Sequence, residues 1–144
     1  AAGKATRLVP DFFALDASLR SGVYVAAADV NGDGAADVLY STGTTGGPRV
    51  RVVSGAVVAN SPGGDMAAAP ALADFFTWDA NDRGGIRIAT KDVDGDGRAE
   101  LIVGSANKTT PMVRVIPFTQ FGTPTTAIAN PFGNAATIDG LYVG

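Results

Sequence analysis

Residues 22–42 read GVYVAAADVNGDGAADVLYST. The first third alternates: Val23 and Val25 fall on one face and Tyr24 on the other, the two-residue period of a strand. The middle, Asp29 to Asp37, gathers three aspartates and an asparagine within nine residues. The last third, ADVLYST, returns to strand-forming residues. The stretch therefore predicts two strands joined by an acidic, glycine-bearing loop.

The pattern recurs at residues 85–105 as GIRIATKDVDGDGRAELIVGS, with Ile86 and Ile88 in place of the valines and Arg87 in place of the tyrosine. Residues 11–54 align with 74–117 without a gap at an offset of 63, with 18 of 44 positions identical. The identities include Phe12/Phe75, Phe13/Phe76, Asp16/Asp79, Arg20/Arg83, Pro48/Pro111 and Arg51/Arg114. This is an internal repeat, the signature of a chain built from stacked units. Each copy is expected to hold four strands: DFFALD or DFFTWD, then the two strands around the acidic loop, then PRVRVVS or PMVRVIP. Proline at the first position of a strand is tolerated because its missing N–H can fall at the sheet edge. GLYVG at Gly140–Gly144 echoes the start of the second strand, and PFGN near Phe132 resembles the phenylalanine segment. The units are thus 11–73 and 74–131, with 132–144 a partial third, in one repeat domain over 1–144. The connection 55–71 is expected to be a loop, because Pro70 interrupts its helix-forming residues.

Composition agrees with short strands and many turns. Nineteen glycines and eight prolines punctuate a chain that is 46% hydrophobic, enough to bury a core. Cysteine and histidine are absent, which removes disulfides, thiolate sites, the commonest general base and the commonest zinc ligand. No apolar run approaches the roughly 18 residues of a membrane span. The net charge is −3, yet seven of the 14 acidic residues lie in the two loops: Asp29, Asp33, Asp37, Asp92, Asp94, Asp96 and Glu100. The acidity is local, and no lysine or arginine block points to nucleic acid.

Asp29, Asn31, Asp33 and Asp37 stand at positions 1, 3, 5 and 9 of the first loop; Asp92, Asp94, Asp96 and Glu100 match them in the second. Oxygens at alternate positions converge when the backbone coils tightly, and Gly32 and Gly34 permit the positive φ angles this needs. Position 7, Ala35 or Arg98, would offer its backbone carbonyl, which explains why its side chain varies between copies. A carboxylate-rich, all-oxygen set suits a hard cation, and calcium better than octahedral magnesium. Transition metals would recruit nitrogen or sulfur. An EF-hand needs a bidentate glutamate at position 12, where this chain has Tyr40 and Val103, and helical flanks, where it reads as strands. Plain acidic hairpin turns are the alternative, since Asn-Gly and Asp-Gly favour turns without a metal. They do not need acids at positions 1, 3, 5 and 9, where close like-charged carboxylates repel unless a cation or proton compensates.

The strand–DxNGDGxxD–strand core resembles FG-GAP (VCBS-type) repeats, the blade units of integrin-α-like β-propellers, over about residues 11–54 and 74–117. The resemblance implies an all-β chain of two tandem four-stranded antiparallel β-propeller-type blades of about 63 residues, plus terminal strands. It implies calcium between the first two strands of each blade, held by Asp29, Asn31, Asp33, the Ala35 carbonyl and Asp37, and by Asp92, Asp94, Asp96, the Arg98 carbonyl and Glu100. Two features depart from the family. Its Phe-Gly pair is replaced by Ser21-Gly22 and Gly84-Gly85, and Glu100 stands where aspartate is usual, so the two sites are expected to differ there.

Propellers typically have four to eight blades, and two do not close a ring. Three arrangements answer this: membership of a longer propeller, assembly of several copies, or a compact β-sandwich of the two units. The expected function is a calcium-stabilised structural, adhesion or ligand-binding module of a secreted or cell-surface protein, with a protein or carbohydrate partner. The alternatives are a carbohydrate-binding lectin, using Tyr24, Tyr40, Trp78 or Tyr142, and a fragment of a polysaccharide-degrading enzyme. No catalytic residue is assigned; Asp16 and Asp79 are expected to cap turns, the phenylalanine pairs to pack between sheets, and Arg51 and Arg114 to be solvated or salt-bridged.

Overall fold

The computed structural model describes residues 7–61, 64–106 and 112–123. Its strands are β1 (Val23–Ala28), β2 (Asp37–Thr42), β3 (Arg49–Val53), β4 (Ala71–Phe76), β5 (Ile86–Lys91), β6 (Glu100–Ser105) and β7 (Val113–Ile116). A short helix, α1 (Gly55–Asn60), follows β3, and a 3-10 turn (Phe118–Gln120) follows β7. The strands form two antiparallel sheets, β1-β2-β3-β4 and β5-β6-β7. The chain is all-β, and the sheets are not closed on themselves.

The repeat is visible in the strand register. Val23 pairs with Thr42 and Ala28 with Asp37; Ile86 pairs with Ser105 and Lys91 with Glu100, the same pairing displaced by 63 residues. Along β1, Tyr24, Ala26 and Ala28 turn toward the second sheet, while Val23 and Val25 are exposed. Ile86 and Ile88, the counterparts of those valines, are buried against the first sheet. The core between the sheets contains Leu39, Val50, Val52 and Phe75 from one and Ile86, Ile88, Leu101, Val103 and Ile116 from the other. The sheets meet chiefly through β1 against β5. Backbone bonds tie their ends: Thr45 N–H to the Arg83 carbonyl (2.9 Å) and Gly85 N–H to the Gly46 carbonyl (3.1 Å) at one end, Ala99 N–H to the Asp29 carbonyl (2.8 Å) at the other.

Three expectations are corrected. The segment DFFALD is not a strand; Phe12 and Leu15 instead pack on the far face of the first sheet with Tyr40, Val53 and Met66. Its counterpart does enter a strand, but in the sheet of the first copy: Asp74, Phe75 and Phe76 of β4 pair with Arg51, Val50 and Arg49 of β3. A strand needs an edge, and β3 offers one to the second segment. Among the described residues no strand precedes the first segment to do the same. The connection 55–71 is not simply a loop. It contains α1 and ends in the first residue of β4, because Val57 and Val58 find an apolar seat beside Tyr40 that overrides their modest helix propensity. The predicted partial unit 132–144, with Tyr142, and Pro111 lie outside the described residues.

The phenylalanine pairs divide: Phe12 and Phe75 join apolar clusters, while Phe13 and Phe76 are exposed. Arg51 lies 3.8 Å from Asp74 and donates to the Ala67 and Ala69 carbonyls, a paired strand face as expected. Arg114 differs: it stacks 5.0 Å from the Trp78 ring centre and donates to the Thr77 carbonyl. Asp16 and Asp79 accept the Ser18 and Asn81 N–H groups, as turn caps do.

Candidate metal centre

Both acidic loops bridge the first two strands of their hairpins, β1 to β2 and β5 to β6, so register fixes their ends. Val30 and Ala99 are buried in the inter-sheet core and anchor one loop each. Within the first loop, Asp29 organises the backbone. Its Oδ1 accepts the N–H of Gly32 (2.6 Å) and Asp33 (3.2 Å), and its Oδ2 that of Gly34 (2.8 Å). Asn31 Oδ1 accepts from Asp33 (2.8 Å), and Asp33 Oδ1 from Ala35 (2.8 Å). The second loop repeats this: Asp92 accepts from Gly95 (2.7 Å) and Gly97 (3.0 Å), Asp94 from Asp96 (3.1 Å), and Asp96 from Arg98 (2.8 Å). Gly32, Gly34, Gly95 and Gly97 all have φ between 82° and 88°, the left-handed region the coil requires. Asp29 Oδ2, Asp33 Oδ1, Asp92 Oδ2 and Asp96 Oδ1 each accept one of these N–H groups and keep a second lone pair, whereas Asp29 Oδ1 accepts two.

The loops differ at position 9. Asp37 is fully buried; its Oδ2 accepts the Val30 N–H (3.2 Å) and its Oδ1 the Gly55 N–H (3.0 Å). It thus supplies an acceptor to the first amide of α1, which the helix itself cannot satisfy. Glu100 accepts one N–H, that of Val93 (2.7 Å), and its longer side chain reaches its own loop. Oxygens of Asp92, Asp94 and Glu100 lie within 4.8 Å of one another. Ligands on opposite sides of one calcium are separated by about 4.6–5.2 Å, twice the calcium–oxygen distance, so these three oxygens are close enough to share one such ion. Asp96 stands outside that triple. Among the described residues no such triple forms from Asp29, Asp33 and Asp37. There the Asn31 amide donates to Asp33 Oδ2 (3.0 Å), and Asp37 is directed to its two N–H groups. At position 7, Ala35 is half-buried and Arg98 exposed.

The electrostatics follow this geometry. The N–H of Gly34, helped by those of Gly32 and Asp33, holds the Asp29 carboxyl below its ordinary value. Burial pushes Asp37 up, against the pull of Gly55 and Val30, with the Asp33 and Asp29 charges adding to the rise. Sequence comparison missed the Asp37–Gly55 link because Gly55 lies one residue beyond the repeated segment. It also missed the contact between the loops, for which no residue pattern gives a signal. Of the aromatic residues offered for a carbohydrate, Tyr40 is core, with its ring edge-on to Phe12.

No family model, curated protein or solved structure matches this chain.

Proposed function

We propose that this chain is a calcium-binding module of FG-GAP-like repeats, in which calcium is structural and takes no part in chemistry. The observation that carries the reading is the convergence of Asp92, Asp94 and Glu100 oxygens within 4.8 Å on a glycine-coiled loop. The repeated loop, with Asp29, Asn31, Asp33 and Asp37 on the same hairpin, extends it to two sites. The ligand sets are the side chains at positions 1, 3, 5 and 9 with the Ala35 and Arg98 carbonyls. Bound calcium would neutralise the crowded carboxylates and clamp β1 to β2 and β5 to β6.

The two sheets are read as propeller-type blades. Their meeting chiefly through β1 and β5, and the crossing of the second phenylalanine segment into the first sheet, support blades over a sandwich. The setting is extracellular or at the cell surface, where millimolar calcium matches the weak affinities of such modules. The partner is a protein or carbohydrate.

Thermal melting tests the calcium role. With dissociation constants of about 10⁻⁴–10⁻³ M and about 10 mM calcium, each site stabilises by roughly 1.4–2.7 kcal/mol. Two sites then raise Tm by roughly 10 °C over the chelated protein. An identical Tm with and without calcium, after verified removal of metal, refutes the reading.

A further inference from the structure

The geometry points to coupling between the two calcium sites through the peptide that joins Arg98 to Ala99; this rests on the calcium reading above. The Ala99 N–H donates to the Asp29 carbonyl at 2.8 Å, and Ala99 is buried. The peptide is trans and planar, so its C=O points opposite to its N–H. The bond to Asp29 therefore also fixes the direction of the Arg98 carbonyl, the backbone oxygen assigned to the second site. Its acceptor residue, Asp29, carries the first carboxylate of the first site and organises that loop. One hydrogen bond thus has an end in each site.

The Arg98 side chain adds a second contact. It crosses the first loop so closely that a Cβ on Gly32 would stand 2.8 Å from its Nε and 3.4 Å from its Cδ and Cγ. At Gly95, the counterpart of Gly32, a Cβ would meet nothing within 4 Å. The second loop leans on the first, and Arg98 and Ala99 are positioning residues for both.

An ion in the first loop steadies Asp29, and with it the acceptor that orients the Arg98 carbonyl. The second ion then enters a loop already partly ordered, which favours its binding without a change of shape. By linkage the second ion favours the first equally.

The test compares calcium titrations by calorimetry of the wild-type chain, of Asp29→Asn with Asp33→Asn, and of Asp92→Asn with Asp96→Asn. Asparagine keeps one of the two acceptor oxygens that Asp29 and Asp92 offer their loops, and far-UV circular dichroism checks each fold. Salt at about 0.15 M screens repulsion between exposed ions more than about 8 Å apart. The product of the two wild-type association constants is expected to exceed the product of the single-site constants at least about fivefold. An excess below about fivefold, or a smaller wild-type product, overturns the coupling. A second readout uses the Asp92→Asn, Asp96→Asn chain, which binds only in the first loop. There calcium is expected to slow hydrogen exchange of the Ala99 amide, and unchanged exchange at first-loop saturation overturns the proposal. A wild-type chain that gives no calcium heat overturns the site reading itself, a result distinct from two independent sites.

Discussion

Replacing Asp37 by alanine in the calcium-free protein isolates what this side chain does for the fold alone. The change leaves the Val30 and Gly55 N–H groups without their acceptor, and both residues are buried. A buried donor left unsatisfied costs about 1–3 kcal/mol, so two cost about 2–6. The burial that raises the Asp37 pKa opposes this, because alanine has no charge to desolvate. The expected loss is therefore in the lower part of the range, about 2–4 kcal/mol. Glu100→Ala is the matched control. It releases one N–H rather than two, that of Val93 in a part-buried bond, so the loss is at the low end of the range for one donor, about 1 kcal/mol. Urea denaturation in chelator, followed by circular dichroism, reads both variants. With a slope of about 2 kcal/mol per molar, the Asp37→Ala midpoint falls by roughly 1–2 M and the Glu100→Ala midpoint by about 0.5 M or less. If Glu100→Ala lowers the midpoint as much as Asp37→Ala, the anchoring of loop and helix by Asp37 is wrong.

Carboxyl NMR titration of the calcium-free chain should show Asp37 protonating at higher pH than Asp29. The Asp29 bonds stabilise the fold above the ordinary carboxylate value and are lost as pH falls through its lowered pKa. The cost of burying ionised Asp37 appears as pH rises through its raised pKa and is relieved below it. The reverse order of protonation contradicts this account. Ile88→Ala should cost about 2–5 kcal/mol by denaturation, and Val25→Ala, at the same repeat position but 61% exposed, less than about 1. Equal losses would show that the two positions do not differ in burial.

Much of this fold is legible in the sequence because its strands alternate. Val23/Val25 and Ile86/Ile88 mark β1 and β5, and the constant 63-residue offset carries the pairing from one hairpin to the next. What escapes is what depends on a neighbour. Residues 71–76, ALADFF, follow a proline that breaks a helical reading, and they become a strand because β3 has a free edge. DFFALD shares only Asp-Phe-Phe with the end of β4 and finds no such edge among the described residues, so its side chains cover a face instead. The Val57–Val58 pair is β-branched, yet it turns helical beside Tyr40, where the Asp37 carboxylate meets the Gly55 amide. In the loops, spacing gives the Asx-type coil, and the Asp37-to-Glu100 difference marks where the two loops diverge. That Asp37 is held by two N–H groups while Glu100 reaches Asp92 and Asp94 depends on α1, which the repeat comparison does not contain.

The most direct test is a count of bound calcium by equilibrium dialysis of the metal-stripped chain, with magnesium as competitor. Two ions per chain, saturating with constants near 10⁻⁴–10⁻³ M and little displaced by equal magnesium, is the predicted result. Binding of one ion or none at about 10 mM calcium contradicts the two-site account.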